Sequence, residues 1–117
     1  MKKILIVDDN PAERFLIKKA LEGEECMLFE AEDGFEAMKI LNQVSPDILT
    51  LDLIMPGING IDSFIAIRRL EKYKSLKIII TSGLDPQYIN LPSGFTYLSK
   101  PISKEDLIKE IGDENNG

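Results

Sequence analysis

The sequence predicts an α/β domain, a doubly wound sheet of five parallel strands with helices on both faces. Three observations carry that expectation. Short branched apolar runs recur five times along the chain. Segments with helical spacing and helix-start residues separate them. The length of 117 residues, 44% of them hydrophobic, suits one core and leaves little room for a second. Residues 1–112 are expected to form this single domain, followed by a disordered tail at 113–117. No internal repeat and no linker is visible.

The first strand is Ile4–Val7, halted by Asp8-Asp9. Asn10-Pro11 then starts a helix, with Asn10 as cap, Pro at the first helical position and Glu13 three residues after the cap. Leu16, Ile17, Ala20 and Leu21 give it one apolar stripe. Met27–Phe29 is the second strand, and Asp33-Gly34 opens a helix in which Ala37, Ile40, Leu41 and Val44 share a face. Ile48–Leu51 is the third strand. Asn59-Gly60 opens the next helix, with Ile61, Phe64 and Ile65 inward.

Ile78–Ile80 and the weaker Phe95–Leu98 complete the strands, and Ser103, with Asp106 three residues on, caps a last helix carrying Leu107, Ile108 and Ile111. The first, third and fourth runs are apolar at consecutive positions, as strands covered on both faces should be. Between Thr81 and Lys100 the rhythm breaks. Gly83, Pro86, Pro92 and Gly94 leave room for one turn at most, so the fourth helix is expected to be shortened or missing.

A formal charge of −6 argues against nucleic acid as a direct partner, since phosphate neutralisation needs a clustered basic surface. The apolar run after Met1-Lys2-Lys3 is too short for a signal peptide, and no stretch approaches membrane-spanning length. A single cysteine, Cys26, excludes an internal disulfide and reads as a small core residue. A cytoplasmic location with no membrane contact is the expectation. The glutamates from Glu22 to Glu25 read as a solvated face.

In an open α/β sheet, ligands lie beyond the carboxyl ends of the strands. Those ends carry Asp8-Asp9, Asp52, Thr81-Ser82 and Ser99-Lys100-Pro101. Three clustered carboxylates repel and need a compensating cation. A hard, oxygen-seeking ion such as Mg²⁺ suits them, and Lys100 adds a second positive charge. Such a layout neutralises the oxygens of an incoming phosphoryl group. Asp52, alone on the middle strand, is the candidate nucleophile, because aspartate can form an acyl phosphate. Asp9 and Asp8 are better placed as direct and water-mediated metal ligands, and the Thr81 hydroxyl is a neutral donor for a phosphoryl oxygen. Pro101 keeps Lys100 extended and permits a cis bond.

Residues 4–11 (Ile-Leu-Ile-Val-Asp-Asp-Asn-Pro), Ala31 to Ala37, Leu51-Asp52 through Met55-Pro56, Gly60, Thr81 and Lys100-Pro101 stand in one order at one spacing. With them the chain resembles the receiver domains of two-component response regulators over residues 2–111. The resemblance implies a flavodoxin-like sheet of order 2-1-3-4-5 and phosphorylation of Asp52. It implies Mg²⁺ held by Asp9, Asp52 and the Ile54 backbone carbonyl, with Asp8 acting through water. Lys100 and Thr81 would contact the phosphoryl group, and Tyr97 would act with Thr81 as the switch. It implies a histidine kinase or phosphotransfer protein as the donor, and this chain has no histidine of its own. The receiver of the signal is an unknown downstream protein, and a homodimer stays open.

This sequence departs from the family at Asn59, usually Asp. The Thr81–Lys100 segment, which builds part of the family's output surface, is a few residues short. Ile54 and Gly83 stand where the family tunes dephosphorylation.

Blander readings exist for each feature. Asp8-Asp9 can be a solvated turn, Thr81 an ordinary strand end, Tyr97 packing on an edge strand, and Met55-Pro56-Gly57 a plain turn. Asp52 inside an apolar run resists such a reading, because a carboxylate beside a core needs a partner. A cofactor binder of flavodoxin type would need a phosphate loop after the first strand, where Asp8-Asp9 stands instead. An aspartyl-phosphate hydrolase, a turnover enzyme, would carry an acid-x-acid pattern on that strand, which is absent. A pseudo-receiver, acting as a phosphorylation-independent interaction module, remains the alternative to a phosphoacceptor switch, though such modules usually lose site residues that are all present here.

Overall fold

The four-residue runs Ile4–Val7 and Ile48–Leu51 and the run Ile78–Ile80 occupy the middle of the sheet. In the computed structural model, which describes residues 1–54, 60–85, 87 and 94–112, β1 (Lys2–Val7), β3 (Ile48–Asp52) and β4 (Lys77–Ser82) are central. β2 (Cys26–Ala31) and β5 (Thr96–Ser99) form the two edges, giving one parallel sheet of order β2-β1-β3-β4-β5. β3 is buried at every residue, whereas the edge strands are largely half-buried. Burial of both faces is what makes consecutive apolar positions necessary in the centre.

Helices α1 (Pro11–Ala20), α2 (Gly34–Val44), α3 (Gly60–Arg69) and α4 (Lys104–Gly112) flank the sheet. Their starts follow local chemistry. The Asn10 side chain accepts from the Ala12 amide at 2.8 Å, Asp33 from Glu36 at 2.8 Å, and the Ser103 hydroxyl from Asp106 at 3.2 Å. A 3-10 turn at Glu71–Tyr73, not foreseen from the sequence, follows α3. Several strands run a residue or more beyond their apolar runs, because pairing in the parallel ladder continues where the side chain turns polar, as between Asp52 and Thr81.

The two faces have separate cores. On one, α2 and α3 bring Ala37, Leu41, Phe64 and Ile67 onto Leu5, Val7, Leu49, Leu51, Ile78 and Ile80. On the other, α1 and α4 bring Ile17, Leu21, Leu107 and Ile111 onto Ile4, Ile6, Ile48 and Ile79. Burying one such side chain contributes about 2 kcal/mol.

Two expectations change. Leu16 is 58% exposed and sits at the rim of a groove between α1 and α4, beside Ile102 and Leu107. One helical step turns it 100° from Ile17, which takes the sheet-facing position. Cys26 is half-buried at the first residue of an edge strand, where a core covers only one side. Burial, with help from the Glu24 charge, raises its thiol pKa.

Among the described residues no α-helix stands between β4 and β5, where Gln87 alone is in a 3-10 turn. Residues 83–95 are barely the dozen that a parallel crossover requires. Residues 86 and 88–93, the Met55-Pro56-Gly57 turn, the Asn59 cap and the 113–117 tail lie outside the described residues.

Candidate functional site

Side chains alternate along a strand, so each core residue fixes the face of the residue two further on. On β1 the column Ile4, Ile6 runs out into Asp8; on β3, Ile48 and Thr50 lead to Asp52. On β4, Ile79 leads to Thr81, and past β5, Leu98 leads to Lys100. Ile4, Ile6, Ile48, Ile79 and Leu98 all belong to the α1/α4 core. Asp8, Asp52, Thr81 and Lys100 therefore emerge on one face at one end of the sheet.

The distances bear this out. Carboxylate oxygens of Asp8, Asp9 and Asp52 lie within 4.8 Å of one another. The Lys100 amine donates to Asp8 Oδ2 at 3.0 Å and lies 3.3 Å from Asp52 Oδ1. Asp8 is 1% exposed and Asp52 6%, whereas Asp9 faces solvent. Thr81, 1% exposed, pairs directly opposite Asp52 in the β3–β4 ladder. Ile54 is 60% exposed just beyond, and its backbone N–H supports the Asp52 carboxylate.

The backbone holds these groups tightly. The other oxygen of Asp8, Oδ1, accepts from the Asn10 amide at 2.9 Å. The Leu53 amide donates to the Thr81 carbonyl at 3.1 Å and the Lys100 amide to the Ser82 carbonyl at 2.8 Å. The Lys100-Pro101 bond is cis. Behind Asp52 the start of α3 comes so close that a Cβ on Gly60 would lie 1.9 Å from the Asp52 carbonyl oxygen. Only glycine fits there.

Three carboxylates against one amine leave an uncompensated negative charge. Burial, then the Asp8 charge, raises the Asp52 pKa, and the Lys100 amine and the Ile54 N–H only partly offset this. For Lys100 burial acts downward, yet the hydrogen bond to Asp8 and the charges of Asp52, Asp8 and Glu13 raise its pKa overall. Hard oxygen donors carrying surplus negative charge fit a hard dication such as Mg²⁺. The donor set is thus suited to that ion, with Asp9 the accessible member.

Tyr97 lies on the opposite face, packed against the α2/α3 core. Its hydroxyl donates to the Ser82 carbonyl at 3.3 Å and to the Leu84 carbonyl. The acceptors lie one and three residues after Thr81, so the ring is tied to the same strand end as the site without entering it.

Arg14 escaped the sequence reading. Its Nη1 donates to the Asp8 backbone carbonyl at 2.6 Å and its Nε to Glu30 Oε1 at 2.9 Å. The available signal was positional: a side chain in the second turn of a helix leans back toward the helix start, here the Asp8-Asp9 corner.

Comparison with known proteins agrees with this geometry. The family model described as the response regulator receiver domain matches residues 4–112. Protein PilH of Pseudomonas aeruginosa is 30% identical over 95% of both chains. Chemotaxis protein CheY of Listeria monocytogenes is 39% identical over 74% of this chain and 72% of its own. Among solved structures, the chemotaxis response regulator CheY4 of Vibrio cholerae superposes with a TM-score of 0.83 at 25% identity, covering 95% of this chain and 96% of its own. The receiver domain of the hybrid histidine kinase CckA gives 0.77 at 30% identity, over 93% and 94%.

Proposed function

The chain belongs to the response regulator receiver domain family, and on that premise we propose that it is a phosphoacceptor switch working through Asp52. The observation that carries the reading is the Lys100 amine lying between Asp8 and Asp52 inside a three-carboxylate cluster. A cation held there by two buried acids is placed to meet a third anion, the phosphoryl group.

The donor is a phosphohistidine on a histidine kinase or phosphotransfer protein. An Asp52 carboxylate oxygen attacks phosphorus, the O–P bond forms as the P–N bond breaks, and the imidazole nitrogen leaves with the bonding pair. Asp52 must be ionised to attack, and the Lys100 amine works toward that against its burial and the Asp8 charge. As charge builds on the transferring oxygens, Lys100 turns from its carboxylates toward them, and Thr81 donates its hydroxyl to one of them. Asp9, Asp52 and the Ile54 carbonyl would hold Mg²⁺, with Asp8 acting through water. When bound, that ion neutralises phosphoryl oxygens and relieves the carboxylate repulsion.

The output follows from connectivity. Drawing Thr81 toward a phosphoryl group shifts Ser82 and Leu84, whose carbonyls hold the Tyr97 hydroxyl. Tyr97 would then reorient and reshape the β4–β5 surface for a downstream protein. The role is that of a signalling switch rather than a turnover enzyme, and a cytoplasmic site of action with no direct nucleic-acid contact accords with it.

Incubation with acetyl phosphate tests the proposal. A mass gain of one phosphoryl group is expected with Mg²⁺, and none with chelator or in Asp52→Asn. A gain that survives chelation or Asp52→Asn contradicts it; no gain at all leaves the phosphorylation-independent interaction module.

A further inference from the structure

We infer that Arg14 is a positioning residue for divalent-cation binding, acting on Asp9 through the peptide that joins Asp8 to Asp9. The inference rests on the reading of Asp9 as a metal ligand. Among the described residues no hydrogen bond or ion pair reaches the Asp9 carboxylate, unlike those of Asp8 and Asp52. Its direction is therefore set by the backbone alone.

That backbone is pinned from both sides. The Asp8 amide donates to Ala31 at 3.1 Å in the last rung toward β2. The Asn10 amide donates to Asp8 Oδ1 at 2.9 Å. Between them, the Asp8 carbonyl has run past the end of β1, and Arg14 Nη1 holds it at 2.6 Å. Removing this donor frees the Asp8–Asp9 peptide plane to rotate, and the Asp9 carboxylate turns with it.

Arg14 is itself anchored. Glu30 lies on the neighbouring strand, its Oε1 2.9 Å from Arg14 Nε and its Oε2 2.8 Å from Lys18 Nζ. The guanidinium fork spans Glu30 and the Asp8 carbonyl at once, which a lysine ammonium on a flexible stem does not reproduce. Outer-shell groups of this kind typically govern metal affinity by about tenfold or more.

The sign of the effect separates positioning from simple charge. Arg14 is a cation beside a cation site, so on Coulomb grounds alone its loss should tighten Mg²⁺ binding. Positioning predicts the reverse. Calorimetric titration of Mg²⁺ into the full chain, with no phosphodonor and at constant ionic strength, reads this directly. The expected result is a Kd raised about tenfold in Arg14→Met and raised similarly in Arg14→Lys.

Tighter binding in Arg14→Met, or wild-type affinity in Arg14→Lys, overturns the inference and leaves the phosphoacceptor reading standing. A wild-type chain that takes up no Mg²⁺ overturns both. Far-UV circular dichroism checks each variant's fold, and if Arg14→Met does not fold, Arg14→Lys decides alone.

Discussion

The two faces of the sheet are built from the same five strands, yet they end differently. On the α2/α3 face the columns stay apolar almost to the rim: Leu5-Val7, Leu49-Leu51-Leu53 and Ile78-Ile80. On the α1/α4 face each column carries isoleucine or leucine in its middle or at its start and ends in Asp8, Asp52, Thr81 or Lys100. The first face is a larger core with an aromatic centre, where Phe64 meets Phe95 edge-on at 5.6 Å. The second gives up its outer layer to charge. Stability and chemistry are thus divided by the alternation of side chains along single strands, and one residue of register separates them.

Substitutions on the two faces should break along this line. The largest effect is expected for Asp52→Asn, which removes phosphoryl uptake altogether while raising stability by about 1 kcal/mol. Urea denaturation beside the acetyl phosphate assay reads both changes. Phe64→Ala should do the opposite. It costs about 4 kcal/mol by leaving a cavity, yet the folded fraction should take up phosphate at the wild-type rate.

Lys100→Met should cost about 2 kcal/mol, because Asp8 and Asp52 lose their cation, and added Mg²⁺ should restore part of the loss in thermal melts. The smallest effect is expected at Thr50, whose buried hydroxyl has no hydrogen-bond partner among the described residues. Thr50→Val should stabilise by about 1 kcal/mol. A loss instead would show that the α1/α4 face uses that hydroxyl.

The same division sets a pH dependence. Burial and the Asp8 charge raise the Asp52 pKa, so the folded chain holds this proton more tightly than the unfolded chain. In metal-free solution its contribution to stability is greatest below the ordinary aspartate range and falls as pH rises to the folded value. Asp52→Asn should abolish that fall. Lys100 shifts upward, so the stability it contributes is lost only on the alkaline side of the ordinary lysine range.

Much of this was legible in the sequence, and the reasons are local. Apolar residues at consecutive positions marked β1, β3 and β4 as strands covered on both faces, and Asn10, Asp33 and Ser103 announced their helices through cap chemistry that needs no tertiary partner. Asp52 stood out because a carboxylate inside an apolar run needs compensation. Leu16 misled because helical spacing fixes a stripe only to within one residue, and the position of α4 decided which residue faced inward. Arg14 stayed hidden because its value lies in the carbonyl it reaches, and backbone acceptors leave no mark on residue types. The network linking Glu30, Arg14 and Asp8 exists only once β2 lies beside β1.

The central claim is that phosphorus becomes bonded to one particular oxygen-bearing side chain at this end of the sheet. Borohydride reduction of the acetyl phosphate-treated chain, which converts an aspartyl phosphate to homoserine, followed by peptide mass mapping, locates that bond directly. Homoserine at position 52 alone is the predicted result. Homoserine at position 8 or 9, or at none, would contradict the account.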